Sequence, residues 1–142
     1  MKATLLTYGL YGLPADGVRR VQATSPEHDF VETDRLPHLL TTDTVTMKLG
    51  TTFGITYHVS HWGMDLDLPL RFCIFHPVLY PPWAPQGRTH VSHVFEAATD
   101  AEDFSFFTFD EPWEMVAGKW TFRVYFQDRL LLTRAFHVIS PP

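Results

Sequence analysis

The sequence holds a single cysteine, Cys73, among its 142 residues. One thiol cannot close an intrachain disulfide, which excludes the inter-sheet bridge of antibody domains. A chain without disulfides suits a reducing compartment, and the expected location is the cytoplasm. Basic residues are also scarce, at 11 Lys and Arg against 16 Asp and Glu, for a net charge of −5. They are scattered, and Arg19 and Arg20 are the only adjacent pair. A protein that grips phosphates or docks on anionic lipid needs a basic face, so neither nucleic acid nor membrane is expected as a partner. No apolar run approaches the ~18 residues of a membrane span. The opening stretch from Met1 to Gly9 is too short and too polar to read as a signal peptide. There is no G-x-S-x-G, no P-loop and no G-x-G-x-x-G, which removes the common routes to an enzyme; no catalytic residue and no cofactor are expected.

What is present is apolar and aromatic: 45% hydrophobic residues, 15% aromatic, with 12 phenylalanines. That composition excludes a disordered chain, and the length suits one domain over residues 1–142 with a core of its own. The periodicity is that of strands. Phe53, Ile55, Tyr57 and Val59 alternate with polar neighbours, as do Leu68, Leu70, Phe72 and Ile74, then Trp120, Phe122, Val124 and Phe126. Thr4–Tyr11 and Arg19–Thr24 read as further strands, and Val45–Leu49 as a short edge strand. The Pro-bearing polar stretch from Ser25 to Thr44 reads as a long loop. His76-Pro77 is expected to end its strand. Residues 77–103 are too long for a plain loop, and Val91–Phe95 is the best candidate for a strand hidden there. Phe104–Phe109 breaks alternation at Phe106-Phe107, which implies a bulge or burial on both faces. A corner at Pro112–Lys119 and a hairpin turning at Gln127-Asp128-Arg129 into Leu130–Ile139 complete the chain. Seven or eight strands, no helix and Gly/Pro turns indicate an all-β, immunoglobulin-like antiparallel β-sandwich with long loops.

Three stretches carry a resemblance. They are Tyr8-Gly9-Leu10-Tyr11, the run Leu49-Gly50-Thr51-Thr52-Phe53-Gly54-Ile55, and the late segment from Phe109-Asp110-Glu111-Pro112-Trp113 through Gly118-Lys119-Trp120. Together with His76-Pro77 and Ala135-Phe136-His137-Val138 they resemble a family of short bacterial proteins known as domain of unknown function 3859. The resemblance spans most of the chain and implies an immunoglobulin-like architecture of this size, with no activity and no catalytic residues. Ala117 stands where that pattern has proline, at a turn. On physical grounds Gly118 suits a positive φ at the corner, Trp120 anchors the core, and Trp113 with them forms a structural motif.

Eight histidines raise the possibility of a metal site. HVSH occurs twice, at His58–His61 and His90–His93. Zinc is bound by such pairs, but on a strand positions i and i+3 face opposite ways, so neither pair chelates by itself. A metal or small-ligand site would need His58 or His61, His76, and His90 or His93 to converge across loops; that is the alternative reading of function. Cys73 lies mid-strand with no nucleophile signature and reads as packing. Asp65, Asp67, Asp100, Glu102 and Asp103 match no EF-hand or glycosidase spacing and read as solvated acids. Glu114 reads as a hydrogen-bond acceptor for corner backbone.

Tyr80-Pro81-Pro82-Trp83-Ala84-Pro85 interleaves aromatics with prolines, a stiff and partly apolar surface of low conformational entropy. Either Trp83 folds back over the sandwich end, or Tyr80 and Trp83 meet a partner. The leading expectation is a non-catalytic interaction module that binds a protein partner, or itself as a homodimer, through a sheet edge or through this loop.

Overall fold

The computed structural model describes residues 1–12, 20–25, 28–32, 36–60, 67–99 and 101–142, and for 20–25, 28–32 and 98 the backbone only. Eleven strands follow in chain order: β1 (Lys2–Tyr11), β2 (Arg20–Ser25), β3 (His28–Glu32), β4 (His38–Leu40), β5 (Thr44–Thr46), β6 (Thr52–Ser60), β7 (Asp67–Leu79), β8 (Arg88–Ala98), β9 (Ala101–Thr108), β10 (Gly118–Phe126) and β11 (Arg129–Ile139). A 3-10 turn at Pro112–Glu114 precedes β10. One sheet runs β4-β1-β6-β9 and the other β5-β11-β10-β7-β8, while β2 and β3 form a separate hairpin. All pairings are antiparallel except β5 with β11.

The alternating residues form the core between the sheets. Phe53, Ile55, Tyr57 and Val59 from β6 are fully buried, as are Trp120 and Val124 from β10 and Phe136 from β11. Phe53 touches both layers: its ring lies 5.3 Å from Phe136, 5.5 Å from Phe122 and 5.9 Å from Trp120, edge-on in each case. Edge-to-face contacts of this kind add to area burial because a positive ring edge meets a negative ring face. Arg134 of β11 sets its guanidinium over the Tyr8 ring of β1 at 3.7 Å, a cation–π contact between the sheets.

The expected segments differ from the structure in several places: the edge strand expected at Val45–Leu49 is Thr44–Thr46, and the one expected at Phe104–Phe109 is Ala101–Thr108. The stretch from Ser25 to Thr44 holds β3 and β4, two short strands whose lack of apolar alternation hid them. β7 runs past His76-Pro77 to Leu79, because its register with β8 shifts between Phe75 and Leu79 and Pro77 sits in the irregular part, where no ladder donor is required. The strand hidden after residue 77 extends over Arg88–Ala98 rather than Val91–Phe95. The described residues therefore hold eleven strands, against the seven or eight expected.

At Phe106-Phe107 the strand covers both faces, with Phe107 buried and Phe106 half-buried. No register shift occurs in β9; Phe107 enters the core, and Phe106 lies on the outer face with the Tyr11 ring 4.5 Å away. Tyr11 crosses that outer face to reach Thr7 Oγ1 at 2.8 Å, and Thr7 and Thr56 share a hydrogen bond of 2.5 Å. Gly9 and Gly54 are opposed in the β1–β6 register between Thr7 and Tyr11, so the ring covers the strip where neither strand has a side chain. The Tyr-Gly-x-Tyr and Phe-Gly-Ile motifs are thus two halves of one small outer cluster.

Asp103 stands at the inward position of β9 opposite the buried Tyr57, and its Oδ2 is buried without a hydrogen-bond partner. Burial raises its carboxyl from 3.8 to about 6, against a smaller downward pull from His58. A carboxyl raised on folding favours the native state where it is protonated. That benefit is lost as pH rises from about 4 through 6, and the charged group is a cost at neutral pH. Asp103→Asn should therefore gain roughly 1–2 kcal/mol at pH 7, after a discount for partial exposure, and much less at pH 4. Thermal melts of both proteins at the two pH values check this; a gain independent of pH would show that burial of the charge is not the cause.

Candidate functional site

Tyr80, Trp83, His76, His90 and the corner residues singled out in the sequence meet at one end of the sandwich. β7 arrives there with His76 and Pro77, the connection Tyr80–Gly87 crosses it, and β8 leaves from Arg88. The corner before β10 sits beside them. In that corner Glu114 is only 2% exposed, and its Oε1 accepts the backbone N–H groups of Asp110 and Glu111, each at 2.8 Å. This is a capping box that closes on the 3-10 turn, so Glu114 serves corner backbone as expected. Trp120 Nε1 donates to the Val116 carbonyl at 3.0 Å and ties the corner to the core. Gly118 has φ +139°, and a Cβ there would lie 2.8 Å from Pro77 Cγ, so glycine is required on both counts.

The connecting loop is built as two successive turns, with Ala84 N–H donating to Pro81 O at 3.0 Å and Gly87 N–H to Ala84 O at 2.9 Å. Pro81 and Ala84 are buried and pin it; Pro82, Trp83 and Pro85 face solvent. Trp83 meets Trp113 edge-on at 5.4 Å and is still 47% exposed, and Tyr80 is 62% exposed. Trp83 therefore neither caps the core nor hangs free. It rests on a corner residue and offers half its surface outward.

His76, Arg88, His90, Trp113 and Glu114 help to line a cleft beneath the loop with space of about 20 Å3. That is room for a water-sized group, far below the roughly 300 Å3 at which small-molecule pockets begin.

Among the described histidines His76 and His90 share the wall of that cleft, but no third joins them. His58 lies in the other sheet, paired with Glu102 in the β6–β9 register. His76 packs on Trp120 at 5.0 Å, and its Nδ1 donates to the Pro77 carbonyl at 2.7 Å. His90 stacks on the outward Phe75, whereas His93 meets Phe72 and Phe95 on the inward side. The second HVSH thus divides between two faces, as strand geometry requires. Among the described residues no three His, Cys, Asp or Glu form a group able to hold a metal ion. His61, Asp65 and Asp100 lie outside the described residues.

One feature of the outer face of the five-stranded sheet had no signal in the strand pattern. Arg71 lies over Tyr125 and Arg123 over Phe75, each at 5.1 Å, with the buried Cys73 between the two arginines. Burial pushes the Cys73 thiol up, while Arg71 and Arg123 pull it back in part. The net direction is opposite to that of an activated nucleophile.

The sequence profile of a family described as "Domain of unknown function (DUF3859)" matches residues 1–138. Among solved structures, an immunoglobulin-like protein from Pseudomonas aeruginosa is 23% identical, covers 98% of each chain and has a TM-score of 0.67. The alkylpurine DNA glycosylase AlkC of Pseudomonas fluorescens, bound to DNA containing an abasic site analog, is 9% identical with a TM-score of 0.41. It covers 68% of this chain and 27% of its own. The first likeness shows the fold, and the second carries no argument. No curated protein matches the chain. No helix among the described residues is long and apolar enough to cross a membrane.

Proposed function

The chain belongs to the family of domain of unknown function 3859, and on that footing we propose that it is a non-catalytic protein-interaction domain whose contact surface is the loop from Tyr80 to Gly87. The observation that carries this reading is the half-exposed Trp83 held edge-on against Trp113. Aromatic side chains dominate binding energy at protein interfaces, since a large apolar area is buried at the cost of two torsions. Here the ring is already placed, the backbone is stiffened by Pro81, Pro82 and Pro85, and Val78 and Tyr80 extend the exposed apolar surface. A partner then loses little of its contact energy to ordering the loop. The cytoplasm suits such a domain, because its lone cysteine is buried and supports no disulfide.

The double substitution Tyr80→Ala/Trp83→Ala tests the proposal. Both side chains are exposed, so the melting temperature should stay within about 2 °C of the parent. A protein that the parent binds saturably should be bound at least ~30-fold more weakly by the variant, the loss of two central aromatic contacts. Equal affinity of the two proteins for every saturable partner would refute the assignment.

A further inference from the structure

β8 is the outer strand of the five-stranded sheet, and among the described residues no element pairs with its free edge. Exposed edges are ordinarily guarded by brevity, by proline or lysine, by bulges, or by a charge pointing inward. The other edges follow that rule. β4 and β5 have three residues each, and β9 carries Asp103 at an inward position. β8 departs from it most. It has eleven residues without proline or lysine, its register with β7 is unbroken from Ala98 to His90, and its inward positions are Val91, His93, Phe95 and Ala97. On its outward side Val94 is 62% exposed.

We propose that β8 pairs antiparallel with β8 of a second copy of this chain, with His93 on the two-fold axis and His90 of each copy opposite Glu96 of the other. The proposal rests on the reading of the domain as an interaction module but uses a surface separate from the aromatic loop. A two-fold axis normal to the sheet keeps outward residues opposite outward residues, so it must pass through a residue rather than between two. His93 is the midpoint of Arg88–Ala98. Centring there pairs the strand over its full length; centring on Ser92 or Val94 confines the ladder to Arg88–Glu96 or His90–Ala98.

The central register is also the complementary one. Outward, it sets the exposed His90 against the exposed Glu96 twice, and covers Val94 with Ser92. Inward, it sets Val91 against Phe95, a β-branched and aromatic pair of the kind that stabilises adjacent strands. A one-residue shift of the axis puts His90 opposite Val94 or Ala98 and breaks both His–Glu contacts. The product is one continuous sheet of ten strands from two copies, with both copies' β8 edges satisfied.

Sedimentation equilibrium over a concentration series reads the result. The parent protein should show a monomer–dimer equilibrium. His90→Glu should weaken it roughly tenfold, since it places two carboxylates opposite one another twice, Glu96→Lys should weaken it by removing the acceptor that each His90 faces, and the double variant H90E/E96K, which sets Glu against Lys twice, should return it to within a few-fold of the parent. In a Cys73→Ser background, His93→Cys should form a disulfide-linked dimer under mild oxidation, because opposed Cα atoms at ~4.5–5.5 Å lie in disulfide range, whereas Ser92→Cys should not. Tyr80→Ala/Trp83→Ala should dimerise as the parent does, which separates this surface from the loop. A monomer at every concentration, or a dimer indifferent to both charge reversals, would overturn the proposal.

Discussion

Gly54→Ala should destabilise the protein by ~3 kcal/mol or more, enough to unfold a large share of a domain of ordinary stability. A Cβ at position 54 would lie 2.2 Å from Ser105 O and 2.9 Å from Phe106 Cα, both backbone atoms of β9. Neither can swing aside as a side chain can. β6 is also held on its other side by β1, so relief requires prying one ladder apart. The outer cluster would go with it. The Tyr11 ring lies against Phe106, and its hydroxyl is tied through Thr7 to Thr56; burial raises the Tyr11 phenol pKa despite those hydrogen bonds. Urea unfolding measures the cost. A loss under 1 kcal/mol would mean that β6 and β9 do not approach as closely as described.

Trp120→Ala should cost a further ~3–5 kcal/mol class of loss, by emptying the volume where both sheets meet. The ring is fully buried and lies 5.0 Å from Phe107, 5.6 Å from Phe109 and 5.0 Å from His76. Trp120→Phe separates two contributions. It keeps an aromatic core but removes the donor to the Val116 carbonyl, so its cost should be intermediate, about 1–2 kcal/mol. Trp83→Ala, half exposed on the loop, should cost less than either. Urea midpoints of the three variants check the order. Equal costs for Trp120→Ala and Trp83→Ala would contradict the division between core anchor and presented surface.

The core was legible in the sequence because burial on one face imposes period two, and most of the alternating residues of β6, β7 and β10 are buried; Leu68 and Phe126 at strand ends are only half-buried, and Thr52, Thr56 and Cys73 are buried on the opposite face. β3 and β4 were not, since short strands bearing polar residues leave no such period. The end of β7 was misjudged for a physical reason: proline halts a regular ladder, but it is tolerated where the register is already broken. Tyr80, Trp83, Trp113, Gly118 and Trp120 were each legible as residue types, yet their meeting at one end depends on pairings between β7, β8 and β10 that no local signal encodes. The histidines show the converse. Repeated HVSH gives a conspicuous spacing, and the strands carry His58 to one sheet and His90 and His93 to opposite faces of the other. The opposition of Gly9 and Gly54 beneath Tyr11 was invisible as an arrangement, although glycines inside two strand patterns were its available trace.

The most direct measurement of the central claim is site-specific photo-cross-linking in cells, with a benzophenone side chain placed at Tyr80 and, as control, at Asp128 in the turn between β10 and β11. Position 80 should yield a discrete adduct with a partner protein that position 128 does not give, and Trp83→Ala should abolish it. Identical adducts at both positions, or none at position 80, would contradict the claim that this end of the sandwich is the contact surface.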